Sequence, residues 1–394
     1  MKKEIERFVT TDPDELLKIR FSRFRSPEIA KKLLLDKCNQ KDISVNQDLI
    51  NEKAKGLSSI IDSALSYFQI KEQSLNARIL SRYYALLQFT IAEEVASIEN
   101  TVDLKVAQKY TEKGHGLNTL NQYIDSNFLD NFFCYFRNLG HFYHYLQQAG
   151  YSKDENLFIA ERLKQNENIS NEHLLSLSDL FRRIPELQNI IEEYTDKCPL
   201  VLHFGRDSTE VNEKYNERRE LSPNITNTSP TTVTPQNNEK VKTFIAIYPS
   251  SERMTIEYLR ELKTPFSNFK IKNDTISDSE YVTCEFHHSN EGSWWNSIKY
   301  YKSSFCPTSY IIPIFDKIND PIVINFALMY SLSILVRYLP NIWCEITVGK
   351  LSKIGNLIDY YLSVFDHVIP KQMYERITGK SIHISMPGGW DAFL

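Results

Sequence analysis

Over its first two hundred residues the chain repeats apolar side chains at three- and four-residue intervals, a period that commits this half to amphipathic helices rather than strands. The pattern predicts helices over residues 13–24, 26–38, 47–70 and 75–99. Asp12-Pro13-Asp14-Glu15 and Ser26-Pro27-Glu28 are good helix starts. A cap oxygen satisfies free N–H groups, proline tolerates the first turn, and acids suit the positive end of the helix dipole. The same period extends over 128–148 and 171–195, the latter interrupted near Pro185, which removes a backbone donor.

From residue 207 to about 240 the pattern stops. Glu220 to Thr232 is rich in Ser, Thr, Asn and Pro and nearly free of apolar residues, so it buries too little surface to offset its ordering entropy. A mobile linker is expected there. Beyond it, residues 241–248, 281–287 and 310–315 are short runs of Val, Ile, Tyr and Phe bounded by turn residues, which predict a small sheet. Helical spacing returns over 323–338, 346–364 and 371–378. The expected fold is therefore α+β and predominantly α: a mainly helical part over 1–205, a flexible insertion over 206–240, and a small sheet with C-terminal helices over 241–394.

Several function classes drop out early. With 46 basic against 50 acidic residues, the net charge of -4 gives no general attraction to nucleic-acid backbones or anionic lipid, and no DNA-specific motif is present. The six cysteines are widely spaced without a C-x-x-C pair, which argues against a zinc ribbon or dithiol centre and for reduced, mostly buried thiols. The start, Met1-Lys2-Lys3-Glu4, is charged and unlike a secretory signal, so no export is expected and the sequons at Asn224 and Asn227 carry no meaning. Residues 322–336 are apolar but shorter than the roughly 20 residues a spanning helix needs, and read as a buried core helix. Walker A, G-x-S-x-G, H-E-x-x-H and Rossmann fingerprints are lacking, and nothing calls for a cofactor or metal.

Three stretches together resemble the YaaC-like family: Ser81-Arg82-Tyr83-Tyr84-Ala85-Leu86-Leu87 followed by Gly114-His115-Gly116-Leu117; Leu177-Ser178-Asp179-Leu180-Phe181-Arg182-Arg183-Ile184-Pro185-Glu186-Leu187; and Leu332-Ser333-Ile334-Leu335-Val336-Arg337-Tyr338-Leu339-Pro340-Asn341-Ile342-Trp343. The resemblance spans roughly residues 55 to 380 and makes 207–240 an insertion. It implies a cytoplasmic binding or regulatory component of a bacterial complex, of the kind found beside nucleotide-metabolism or antiphage-defence genes, with a protein partner or a second copy of the chain. The helical half also resembles the HEPN superfamily of four-helix domains, in which a helix carrying a tyrosine pair precedes a helix where four to six residues separate an Arg from a His. Here Arg137-Asn138-Leu139-Gly140-His141-Phe142-Tyr143-His144 supplies that pattern. By that resemblance His144 is an acid or base at a ribose hydroxyl, Arg137 a phosphate binder and Asn138 an orienting group, in a metal-independent endoribonuclease with RNA as its ligand.

On a continuous helix Arg137, His141 and His144 share one face, yet the aromatic setting of Phe136, Phe142, Tyr143 and Tyr145 suits a packed interface equally well. His141 and His144 lack a nearby Cys or carboxylate at ligand spacing, which disfavours a metal. His115, between Gly114 and Gly116, is, like His141, a candidate binding residue, placed to contact a phosphate or the Arg137 face, for which a turn opening the next helix is the simpler account. Arg78 and Arg82 are candidate binding residues whose plainer role is a salt bridge, Arg82 to a carboxylate such as Glu186. The cluster Lys18, Arg20, Arg23, Arg25, Lys31 and Lys32, interleaved with Phe21 and Phe24, has the composition of an RNA or acidic-partner surface, diluted by its acidic neighbours. A binding or regulatory protein is thus the leading expectation, with the endoribonuclease of Arg137 and His144 as the alternative.

Overall fold

The computed structural model describes residues 4–44, 46–69, 74–123, 127–151, 157–164, 171–205, 209–211, 240–273, 280–289 and 294–387. The expected linker falls almost wholly outside them; its described part, Thr209–Val211, is a strand. The chain is α+β, with 54% helix against 19% strand. It divides into two compact units, residues 1–177 with 325–394, and residues 178–324.

The first unit opens with strand β1 (Ile5–Val9) and helices α1 (Pro13–Ser22), α2 (Pro27–Lys41), α3 (Gln47–Gln69), α4 (Leu75–Ala96) and α5 (Leu104–Glu112). Asp12 caps α1 through a bond from the Glu15 amide, and Asp103 caps α5 from Val106, as short acidic side chains do at free N–H groups. Then come β2 (Leu117–Asn121), α6 (Phe128–Asn131), β3 (Phe132–Phe136), α7 (His141–Gln148) and β4 (Leu175–Ser176). Strands β2, β3 and β4 form an antiparallel sheet.

The second unit takes up the rest of α8 (Leu177–Phe181), then α9 (Ile191–Thr195), β5 (Val201–Phe204), β6 (Thr209–Val211), β7 (Lys240–Tyr248), α10 (Ile256–Glu261), β8 (Phe266–Asn273), β9 (Glu280–Ser289) and β10 (Ser309–Ile311). Its sheet runs β10-β5-β7-β9-β8, antiparallel throughout, with β6 also on β7. Its core gathers Leu202, Ile245, Ile247, Leu259, Cys284 and Trp294.

Helix α11 (Pro321–Tyr338) then leads back into the first unit, which closes with α12 (Pro340–Val348), α13 (Ser352–Thr378) and β11 (Ser381–Ser385). Strand β11 pairs in parallel with β1, Ile5 opposite Ser381. Helix α4 is sandwiched by α3 and α13, which explains why Tyr83, Leu86, Phe89 and Ala92 are fully buried. Helix α11 has the length and apolarity of a membrane span, but 72% of it is buried inside the fold. Four of the six thiols are buried, and Cys306 and Cys344 are partly or fully exposed.

Three helical expectations are corrected. Residues 128–148 are not one helix: Phe132–Phe136 is a strand, followed by a turn at Gly140 with φ +85° before α7 begins. The run Phe-Phe-Cys-Tyr-Phe is apolar on both faces, and such a run has no period that separates a buried strand from a buried helix. Residues 171–195 break into short pieces around β4, α8 and α9. At the C-terminus the break falls at Gly349, not between Val364 and Lys371: α13 runs unbroken through Pro370, its packed face outweighing the penalty of about 3 kcal/mol for an interior proline.

Candidate functional site

The corrected turn puts Arg137 and His144 on different elements rather than on one face of a continuous helix. Arg137 comes directly after β3, where its guanidinium donates to the Ala160 carbonyl at 2.7 Å and, with the Asn118 amide oriented to satisfy both groups, to the Asn118 oxygen at 2.8 Å. Asn138 is exposed. His144, on α7, is half-buried with its ring stacked on Tyr110 at 3.6 Å, and burial lowers its pKa.

The glycine loop before β2 has a structural task. Gly114 O and His115 O accept from the amides of His141 and Phe142, which are unpaired donors at the start of α7, and Gly116 O accepts from Arg137. A Cβ on Gly140 would lie 2.4 Å from Gly114 O, so this close approach requires glycine. Held there, His115 meets the Tyr83 hydroxyl through Nδ1 at 2.7 Å, and burial lowers its pKa. The loop leads into strand β2, not into the expected helix.

Arg82 pairs not with Glu186 but with Asp366 on α13, Nε to Oδ1 at 2.5 Å and Nη2 to Oδ2 at 3.0 Å, with the guanidinium over the Phe68 ring. Arg78 bonds Asp359 and lies 3.9 Å from Asp366. Both arginines thus tie α4 to α13. In the basic cluster Phe21 and Phe24 are buried, Arg20 faces Glu6 and Arg25 faces Asp62, so no stacking platform is presented.

His141 sits in a different setting. It is fully buried; Nε2 meets Thr90 Oγ1 at 2.9 Å, and Nδ1 lies 3.3 Å from Glu94 Oε2. Thr90 and Glu94 are one turn apart on α4, so both reach α7 from the same face. Neither Glu94 oxygen has a hydrogen-bond partner among the described residues. Burial, reinforced by the Glu93 charge, pushes the Glu94 carboxyl well above its usual range, while burial takes His141 down to about 3. The two shifts agree on a neutral acid beside a neutral imidazole, so the close approach is not an ion pair.

Glu94 also lines a cleft of about 500 Å³. Across it, Tyr145 Oη donates to Glu93 Oε2 at 2.7 Å and receives Arg376 Nη1 at 3.2 Å. The Lys37 ammonium donates to Ala96 O at 2.7 Å and Ile377 O at 3.0 Å, and burial lowers it to about 8. Lys41 meets Glu99 at the rim at 2.5 Å and holds that carboxyl below its ordinary value. None of these cleft residues except His141's neighbour Tyr145 drew notice in the sequence. A signal was present: Glu93-Glu94 are two consecutive acids between the apolar pairs Ile91-Ala92 and Val95-Ala96, and acids are almost never fully buried without cause.

In the second unit, Glu186 accepts from the Tyr301 hydroxyl and lies 3.9 Å from Cys306 Sγ. Burial and the Glu186 carboxyl push the Cys306 thiol up to about 12, which leaves it protonated and a poor nucleophile.

Searches of the curated proteins and of the solved structures found no match. A family model described as YaaC-like Protein does match, over residues 22–377, from the end of α1 to the last turn of α13. The chain belongs to the YaaC-like family.

Proposed function

We propose that the protein is a binding or regulatory component of a bacterial protein complex, acting in antiphage defence, with the α4–α7–α13 cleft as its ligand-receiving site. The observation that carries this reading is the cleft itself. Its walls include Glu93, Tyr145 and Arg376, fixed by one another, and Lys37, held by the backbone carbonyls of Ala96 and Ile377, which is how a preformed site is held. The metal-independent, HEPN-like endoribonuclease is the competing reading, favoured by one fact: Arg137 and His144 are only half-buried, and a neutral His144 is the form a general base needs.

One experiment separates them. The native protein and its Arg137→Ala and His144→Ala variants, checked for folding, are incubated with structured and single-stranded RNAs in EDTA, alone and with proteins that co-purify from the host. The expected result is no cleavage, together with elution of the tagged native protein in an assembly larger than its 46.1 kDa chain. Cleavage by the native protein that both variants lose would replace this reading with the nuclease. Unchanged phage plating after deletion of the gene would remove the defence role alone.

A further inference from the structure

Arg337, in the last turn of α11, is a half-buried cation without a counter-ion. Its guanidinium lies 5.7 Å from the centre of the fully buried Tyr83 ring and 5.1 Å from that of Tyr338, which is 64% exposed. Nε donates to Ser333 O at 3.1 Å and Nη2 to Ser333 Oγ at 2.9 Å, one turn back on the same helix. Nη1 has no partner among the described residues and is not one of their buried unpaired atoms, so it opens to solvent. Arg78, Arg82 and Arg376, comparably buried, each face a carboxylate, and Arg337 faces none among the described residues. The groups that act most on the ionisation of its neighbours Tyr83, His115 and Tyr330 are tyrosines, Cys134 and Arg337 itself.

His115 meets the same Tyr83 ring, at 5.6 Å between centroids. Burial raises the Tyr83 phenol well above its ordinary value, so it keeps its hydrogen, and the one partner of that hydroxyl among the described residues is His115 Nδ1. Tyr83 therefore donates and Nδ1 accepts. Burial and the Arg337 charge both hold the His115 pKa down, and a neutral imidazole that accepts at Nδ1 carries its proton on Nε2. That N–H is a second donor without a partner among the described residues, and it too reaches solvent. The carbonyls of the surrounding loop, which would repel an anion, are already occupied: Gly114 O, His115 O and Gly116 O accept from the amides of His141, Phe142 and Arg137.

We propose that Arg337 and His115 bind a phosphate group, as the free ion or as the end of a small phosphomonoester. A phosphate brings close to two negative charges and three acceptor oxygens, so it can take Arg337 Nη1 and His115 Nε2 at once and supply the counter-charge that Arg337 lacks. Tyr83 is the positioning residue: its hydroxyl fixes the imidazole and its ring carries the guanidinium. None of the three lines the α4–α7–α13 cleft, so this site is additional to it.

The test is calorimetric titration of the full chain in phosphate-free buffer with inorganic phosphate, glycerol phosphate and acetate in turn, alongside nitrogen NMR of its histidine side chains. His115→Gln identifies the His115 signals by their loss. Phosphate or glycerol phosphate is expected to bind and to shift the His115 Nε2 signal, the tighter of the two naming the source, while acetate binds more weakly. Arg337→Met keeps an apolar stem on Tyr83 and removes the charge. It should weaken binding roughly tenfold or more, the loss of a hydrogen bond to a charged group, and should let the His115 pKa rise, because the Arg337 charge holds it down. His115→Gln should weaken binding as well. Circular dichroism confirms that the variants are folded; if Arg337→Met is not, His115→Gln and the native NMR shift decide. No binding of either phosphate by the native protein, an unmoved His115 signal, acetate binding as tightly, or unchanged affinity in the variants would each overturn the proposal. The regulatory reading is tested by the co-purified assembly and stands or falls separately.

Discussion

At the scale of single residues, burial decides which charges do chemistry and which hold the fold. The Arg82 guanidinium is nearly buried in a two-point pair with Asp366. Arg82→Ala leaves that carboxylate without its partner and should cost about 3 kcal/mol, the range for breaking a buried pair, read as a lower urea midpoint. Glu94 and His141 predict opposite pH slopes. The Glu94 pKa is raised on folding, so its contribution is full at acid pH and is lost as pH climbs from the unfolded value of 4.5 through the folded one. The His141 pKa is lowered to about 3, so its contribution is full above 6.5 and is lost as pH falls towards 3. Glu94→Gln should therefore unfold with a flatter dependence as pH rises above 4.5 than the native chain; parallel melting curves would contradict a neutral Glu94. Arg137, His141 and His144 were visible as unusual residues, and Arg82 as a salt-bridge former. Their partners were not, because Asp366 and Thr90 reach them only through tertiary contacts hundreds or tens of residues apart.

At the scale of elements, the helices 13–24, 26–38, 47–70 and 75–99 were legible to within a few residues because one wet face and one dry face impose a period. Strand β7 and strand β9 were legible from their β-branched and aromatic runs. Strand β3 was not, since a segment dry on both faces has no period to read, and Gly140 marked the turn there more truthfully than the hydrophobic pattern did. The turn is testable. Gly140→Ala meets both an unfavourable positive φ and the Gly114 carbonyl, whereas Gly150→Ala meets a similar φ of +87° with open space around it. The conformational penalty of about 1–2 kcal/mol is common to both. Gly140→Ala should lose clearly more stability than Gly150→Ala in urea unfolding, and equal losses would mean that the α7 start can shift to make room.

At the scale of the molecule, the first unit is assembled from both ends of the sequence. Helix α4 is covered by α13, and β1 is paired by β11. A fragment of residues 1–205 alone should therefore aggregate or lack fixed near-ultraviolet dichroism, and supplying residues 325–394 in trans should rescue it. A monomeric, cooperatively melting fragment would show that the N-terminal helices suffice. Helical content and the α+β class were readable from the sequence, but this closure was not, because parallel pairing of two short distant strands leaves no local mark. Its consequence lies in time rather than space. Glu4 and Lys380 are 376 positions apart and meet in the finished ribbon, so during synthesis the first strand leaves the ribosome long before its mate exists. Residues 178–324 can complete their own sheet meanwhile, while the α13-facing side of α4 waits uncovered, and the protein's dependence on chaperones should be concentrated in that interval.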